Sequence, residues 1–458
     1  MSIWFQGVGS SLSRPFYGPS IQIDPSFPYY GGRTPDSIAE EIELAGFRSV
    51  HYFVVNEHVI QEKLIDAFHR RGMPVWAMAI GNGTFSTDRF PSDWPSWKMR
   101  LLKETNDGFE RLSPFSVRYV AWKKAALARL AAEYPFDGIE IAEPYFPEWG
   151  GIKRGVYGDV GPLAQAAFRD RHGLEMPDFV NAGSPDYYLR SVETYRKWVD
   201  FRVEAVNGFL DELINGRGGV REARPGIAVA TWSLAIDAGP DSIRRLREEQ
   251  GLDAAAMVAR VRPDMHVLQT HWPDWTRADL PADYVTRYQP FIDELRAQFP
   301  DLPLSVQADI GSARHMVKGG RWLSGFSETA SKLGFSSWTA YEYHTGGYMY
   351  EEKPAPLGCT RPSKEEIVVT FNKRIDERSA ASAGNYRVMD DGRLVPVRWD
   401  AIEVDGNRLR LRSGQLPPKP LQIELRGIRD APDKWLFKEK RANTISAGTT
   451  CPVPGTDE

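Results

Sequence analysis

Along the first ~345 residues, short runs that alternate apolar and polar positions are separated by longer runs whose apolar residues recur every three to four places. The first pattern belongs to β-strands and the second to amphipathic helices. Strands are expected at 3–9 (IWFQGVG), 49–55 (SVHYFVV), 74–81 (PVWAMAIG), 137–143 (DGIEIAE), 226–233 (GIAVATWS), 265–272 (MHVLQTHW), 303–309 (PLSVQAD) and 336–344 (SSWTAYEYH). Helical runs fill the gaps. In the first, Thr34 is placed as the cap, Pro35 opens the helix, Gly46 stops it, and Ile38, Ile42 and Leu44 form its apolar face. The second stops at Gly72 in the same way, and long runs at 117–135, 188–214, 284–300 and 326–334 precede the fourth, fifth, seventh and eighth strands.

Eight β/α units in series predict an α/β fold of the TIM-barrel type, (β/α)8. An open doubly wound sheet is the alternative. It would carry a glycine-rich phosphate turn after its first strand, and GVGSS is not promptly followed by a helix. From about 363 to 430 the texture changes to short alternating runs (EEIVVTFN, NYRVMD, VPVRWDAIEV, RLRLRS, LQIELRGI) separated by turns such as DDGR and DGNR, which reads as a small all-β sandwich. The expected division is a barrel over 1–355, a sandwich over 362–435, and a loose tail over 436–458.

Composition narrows the function. With 458 residues and a net charge of −4, acids and bases being mixed along the chain, nothing points to nucleic acid or an anionic membrane. No apolar run reaches the ~18–20 residues of a membrane span. The opening MSIWFQGVGSS lacks the basic start and apolar stretch of a signal peptide, so the chain is either cytosolic or exported with a leader outside this sequence. Cys359 and Cys451 form no metal-type cluster, and two cysteines imply no disulfide framework. No cofactor is implied, and the oligomeric state is not legible.

The candidate chemistry sits where strands end, because a barrel places its site at the C-terminal face of its strands. Within FDGIEIAEPYFPEW, Ile139 and Ile141 suit the helix side, Glu140 and Ala142 point inward, and Glu143 emerges at the rim among Tyr145, Phe146 and Trp149. A carboxylate walled by aromatics has its pKa raised, as a general acid near neutral pH requires. The competing reading is an ion pair between Glu143 and a loop arginine such as Arg154. Other strand ends offer Gln269, His271 and Trp272; Asp309; Tyr341, Glu342 and His344; and His51 with Asn56 and Glu57. His51 lies mid-strand, where a satisfied core histidine is the commoner case, and Glu57 suits the start of the next helix. Trp76 and Trp232 divide between core packing and a sugar platform; Trp94, Trp97, Trp272 and Trp275 lie in loops and suit a platform better. Glycoside hydrolysis needs a second carboxylate, for which Glu342 is favoured slightly over Asp309.

Two segments carry a resemblance. FDGIEIAEPYFPEW is similar to the strand-4 signature of glycosyl-hydrolase-like TIM-barrel families, DGI…DDYFYP, and RPDMHVLQTHW to their strand-6 segment D…PQ.YW. The Glu143-Pro144 pair resembles the Asn-Glu-Pro of clan A retaining glycosidases, with Ala142 in place of the asparagine. That likeness implies an acid/base role for Glu143 and loss of the asparagine contact to a 2-hydroxyl. Residues from EEIVVTFN onward resemble bacterial Ig-like domains over roughly 70 positions, with the layout VTFNK.ID…NY.V, which favours export.

The reading this supports is a glycoside hydrolase acting on a poly- or oligosaccharide. Glu143, Glu342 and Asp309 are its candidate catalytic residues, and His51, Asn56, Trp76, Tyr145, Trp232, Gln269, His271, Trp272, Tyr341 and His344 its candidate sugar contacts. The alternative is a non-catalytic carbohydrate-binding protein with a degenerate barrel. A metal-dependent hydrolase built on His51, His271, His344, Asp309 and Glu143 ranks lower, since no His-x-His or His-x-x-Glu-His run is present. A nucleotide-dependent enzyme ranks lowest.

Overall fold

A computed structural model describes residues 17–437 and 441–456. Eight parallel strands close into a barrel: β1 (Gly18–Ile23), β2 (Ser49–Val54), β3 (Val75–Ile80), β4 (Gly138–Ala142), β5 (Ala228–Ala235), β6 (Met265–Thr270), β7 (Leu304–Asp309) and β8 (Ser337–Tyr341). They follow one another around the ring in sequence order, β8 pairing with β1. The segment expected as the first strand, 3–9, lies outside the described residues. The strand that closes the barrel is GPSIQI, in the stretch between that segment and the first helix for which no strand was expected; Gly18 and Pro19 open it. Proline at a strand's first positions costs no ladder bond. The register Ile21↔Ala340 and Gln22↔His51 then locks this strand on both sides.

Helices α1 (Pro35–Leu44), α2 (Glu62–His69), α3 (Val117–Glu133), α4 (Pro162–His172), α5 (Val192–Ile214), α6 (Ser242–Gln250), α7 (Ala254–Val261), α8 (Gln289–Gln298) and α9 (Gly320–Lys332) surround the ring. Thr34 caps α1 by accepting from the Ser37 amide, and Ile38 and Ile42 are buried, whereas Leu44 is exposed. Glu57 does not open α2. It lies buried in the loop before it, ion-paired with Lys123 of α3.

Inside the barrel, side chains form a floor rather than a channel. Trp76, Met78, Trp232, Met265 and Val267 pack together, and a Cβ at Gly138 would meet the Trp76 ring at 2.2 Å. One polar group is built into this floor. Glu140 meets Nδ1 of His51 at 2.5 Å and accepts from Nε1 of Trp232 at 2.9 Å, while Nε2 of His51 meets the Ser20 hydroxyl at 2.9 Å. Most buried polar groups are hydrogen-bonded in this way.

Beyond the barrel, two four-stranded antiparallel sheets face each other. The first holds β9 (Pro356–Ser363), β10 (Glu366–Phe371), β13 (Ala401–Asp405) and β14 (Arg408–Arg412); the second holds β11 (Tyr386–Asp390), β12 (Arg393–Val395), β15 (Leu421–Leu425) and β16 (Thr450–Val453). Ile367, Val369, Leu409 and Leu411 of the first share one core with Val388, Ile423, Leu425 and Val453 of the second. The end of the chain, expected as a loose tail, supplies β16, whose residues pair with β15. The two cysteines, whose number alone implies no disulfide framework, form a disulfide between Cys359 of β9 and Cys451 of β16, one in each sheet.

The sandwich docks on the first barrel loop. Arg374 donates to the carbonyl oxygens of Tyr29 (2.6 Å) and Gly31 (2.7 Å), Asp405 accepts from the Thr34 amide (2.7 Å), and Arg408 donates to Glu40 (2.6 Å). Under this seam Arg33 pairs with Glu41 at 2.6 Å, both side chains enclosed, and Glu41 also accepts from the hydroxyls of Tyr29 and Tyr343.

Candidate functional site

The loops after β3 and β4 rise over the C-terminal end of the barrel and, with the end of β6, enclose a cavity of about 300 Å³. That lies at the small end of ligand pockets, which run from ~300 to ~1,000 Å³. Each loop is pinned by a short ladder, Gly83–Thr84 against Glu110–Arg111 and Glu148–Trp149 against Val156–Tyr157. Pairing between β3 and β4 continues past the strands, since Gly81 donates to Ala142 O at 2.7 Å. Only glycine fits there, because a Cβ at Gly81 would lie 2.9 Å from the Pro144 backbone.

At this point the chain turns. Glu143 has φ 51°, a left-handed conformation that non-glycine residues rarely adopt. The turn carries its carboxyl into the cavity, whose walls include Tyr145, Trp149, Trp272 and Trp275. The Asn82 amide fixes the exit from the turn by donating to the carbonyl oxygens of Pro144 and Tyr145. Burial pushes the Glu143 pKa up; a hydrogen bond from the Gln269 side chain and the nearby Arg111 charge oppose this without reversing it. The opposing charge is therefore Arg111, not Arg154. Arg111 is itself neutralised by Asp107 at 2.6 Å and lies over the Trp149 ring.

The expected residues fall into three groups. Glu143, Tyr145, Gln269, His271 and Trp272 line the cavity. Burial, with a smaller contribution from Arg245, depresses the His271 pKa to about 3, so that side chain is neutral. A second group stands on the neighbouring arc of the rim, at the ends of β7 and β8. Asp309 ends β7 and accepts from the Gly311 and Ser312 amides at 3.0 and 2.9 Å and from the Ser312 hydroxyl; burial raises its pKa. Glu342 follows β8 and is fully enclosed. It accepts from the Asp24 amide, the Tyr30 hydroxyl and the His344 amide, each at 2.8 Å, and also contacts Nδ1 of His344. His344 stacks on Tyr29, with ring centroids 5.6 Å apart. Tyr341 stands between the groups: its ring lies 6.5 Å from that of Phe53, and Glu342, Asp309, Asp24 and Glu143 all raise its hydroxyl's pKa, after burial.

The third group lies away from the cavity. His51, Trp76 and Trp232 belong to the barrel floor. Asn56 turns back on its own loop, accepting from the His58 amide at 2.9 Å. Of the other loop tryptophans, Trp97 is buried and Trp94 packs against the core, its ring beneath Lys98.

Several cavity residues escaped the sequence reading. Asn82, Arg111, Glu148 and Gln250 line the wall, and Asp24 follows β1. Glu148 sits in the quoted aromatic run, five residues after Glu143, and burial together with Glu249 raises its pKa to about 7. Gln250 ends a helix and carries no local signal. Among the described residues, no group of three or more His, Cys, Asp or Glu is placed to hold a metal ion, and no helix is long and apolar enough to cross a membrane.

No family model and no curated protein matches the chain. Solved structures do. The glycoside hydrolase domain of PgaB (BpsB) from Bordetella bronchiseptica matches with a TM-score of 0.52 at 13% identity, over 71% of this chain and 94% of that one. Gan42B, a GH42 β-galactosidase, matches with a TM-score of 0.51 at 15% identity, over 72% of this chain and 51% of that one. The chain thus spans about half the length of Gan42B. At this identity the likeness establishes a fold shared with glycoside hydrolases and not an activity.

Proposed function

We propose that the protein is a glycoside hydrolase in which Glu143 is the proton donor. One observation carries this reading: Glu143 stands in an aromatic-walled cavity at the C-terminal face of the barrel, where burial favours its protonated form. A protonated carboxyl there can deliver its proton to a glycosidic oxygen as the bond to the anomeric carbon breaks. The Gln269 amide then stabilises the carboxylate that remains. Asp309 is the better partner of the two expected. It is held by three donors yet keeps some exposure, and as carboxylate it would attack the anomeric carbon or activate a water. Glu342, saturated with hydrogen bonds, is assigned to holding Tyr30, Asp24 and His344 in place. His344, Tyr341, Tyr145, His271 and Trp272 complete the proposed rim.

The test is digestion of a broad glycan panel, read by mass, with wild type, Glu143→Gln and Asp309→Asn. Cleavage by wild type and its loss in Glu143→Gln is the expected result; unchanged turnover in that variant refutes the assignment. A second reading, a non-catalytic carbohydrate-binding protein, is favoured by the enclosure of Glu342 and the engagement of both Asp309 oxygens. Calorimetric binding without any cleavage would decide for it.

The proposal extends to organisation and location. The barrel gives way to the sandwich near residue 355, and the sandwich acts as an Ig-like brace. Export is favoured by the Cys359–Cys451 disulfide, since such bonds persist in oxidising compartments.

A further inference from the structure

The cavity wall contains polar atoms that the protein itself leaves unanswered. Oδ1 of Asn82, Oε1 of Gln250 and Oε1 of Gln269 accept no hydrogen bond, and Nε1 of Trp272 donates none. All four residues line the same cavity, with Asn82 only 4% and Gln250 only 1% exposed. Buried polar atoms are almost always satisfied, so four orphans on one concave wall call for a partner that enters from outside. Their chemistry describes it: three carbonyl-type oxygens ask for donors, and one indole N–H asks for an acceptor.

The charges on the wall add a constraint. Arg111 is spent on Asp107, with contacts of 2.6 and 3.1 Å. His271 is neutral, and burial holds Glu143 and Glu148 toward their neutral forms. Among the described residues no unpaired cation lines the cavity, so an anionic group would bring its charge against three carbonyl oxygens and two carboxyls with little to compensate it. A hydroxyl supplies both a donor and acceptor lone pairs, and the faces of a sugar ring suit the Trp149, Trp272 and Trp275 wall.

We infer that the cavity is a subsite for a sugar ring with free hydroxyls and no carboxylate or sulfate, its hydroxyls donating to Asn82, Gln250 and Gln269 and accepting from Trp272. This rests on the glycan-binding half of the proposed function and adds the substrate class. Gln250 and Asn82 thereby become specificity-determining residues: a charged wall would have accepted what this one refuses.

The test is calorimetric titration of the full-length Glu143→Gln protein, which holds ligand without turnover. The probes are neutral oligosaccharides of glucose, galactose, mannose, xylose and N-acetylglucosamine, set against trigalacturonate. At least one neutral probe should bind, with trigalacturonate at least about tenfold weaker. Adding Gln250→Leu or Trp272→Phe should each weaken the neutral probe roughly tenfold, the loss of one buried hydrogen bond. Trp272→Phe removes the N–H together with the pyrrole ring and keeps a smaller aromatic face, whereas Gln250→Leu takes away a polar group and no ring, so Gln250→Leu separates recognition from aromatic packing; melting curves confirm that each variant folds. Equal or tighter binding of trigalacturonate, no neutral probe binding, or full affinity in both variants overturns the inference. Neutral binding without wild-type cleavage sinks the hydrolase and leaves the subsite standing; cleavage confined to uronate chains does the reverse.

Discussion

The Gln269 side-chain amide donates to the Glu143 carboxyl from β6 to the residue just after β4, spanning the position of β5 on the ring. It is the local counterweight to burial: one stabilises the charged carboxylate, the other the neutral acid. Replacing Glu143 with Gln removes the titrating proton and keeps the shape. Turnover of a cleaved glycan should fall by ~10²–10⁴-fold, the usual worth of a general acid, with little change in melting temperature.

Removing the counterweight should move the acid further. In Gln269→Leu the hydrogen bond to the charged form is lost, so the Glu143 pKa rises. The alkaline limb of the pH–activity profile, where the acid loses its proton, should shift to higher pH. A profile that stays put or moves to lower pH would contradict this electrostatic account.

Glu148 offers a test that needs no substrate. Its pKa rises from 4.5 in the unfolded chain to about 7 in the fold. A raised carboxyl pKa means the folded state binds the proton more tightly, so this stabilisation is full below about pH 4.5 and lost as pH rises through about 7. Glu148→Gln keeps the neutral shape at every pH. It should be more stable than wild type at pH 8, by ~1–3 kcal/mol, with the gain vanishing by pH 4. Chemical denaturation at the two values measures it.

The barrel floor should respond sharply to loss of its acid. Glu140→Ala leaves His51 Nδ1 and Trp232 Nε1 without their partner in an enclosed space. The expected cost is ~2–6 kcal/mol, that of leaving two buried ring nitrogens without a hydrogen-bond partner. Glu140→Gln, which retains an acceptor, should cost less.

The disulfide ties together two sheets whose bridging cysteines are 92 residues apart. Cys451→Ser should lower stability by ~2–4 kcal/mol. Reductant should lower the melting temperature of wild type toward that of the variant and leave the variant unmoved.

Much of the barrel could be read in the chain because strands buried on both faces write their length directly into apolar runs. Its first strand could not, because Gly18 and Pro19 disguise GPSIQI as a turn. Glu143 was legible from the aromatics around it, but the second carboxylate was not. The enclosure of Glu342 depends on Tyr30 and Asp24, more than three hundred positions away. The same limit applies to Trp76 and Trp232, whose neighbours in space decide between platform and floor. Gln250 and Asn82 matter only through atoms they leave unbonded, which no linear pattern records.

Arg374 reaches from the sandwich into the loop that also sends Tyr30 to Glu342. A gene shortened to the barrel alone would strip the Tyr29 and Gly31 carbonyls of their guanidinium and open the Arg33–Glu41 pair to water. The C-terminal module is therefore no detachable accessory, and libraries or fusions that shuffle it as one would deform the rim at the far side of the pocket.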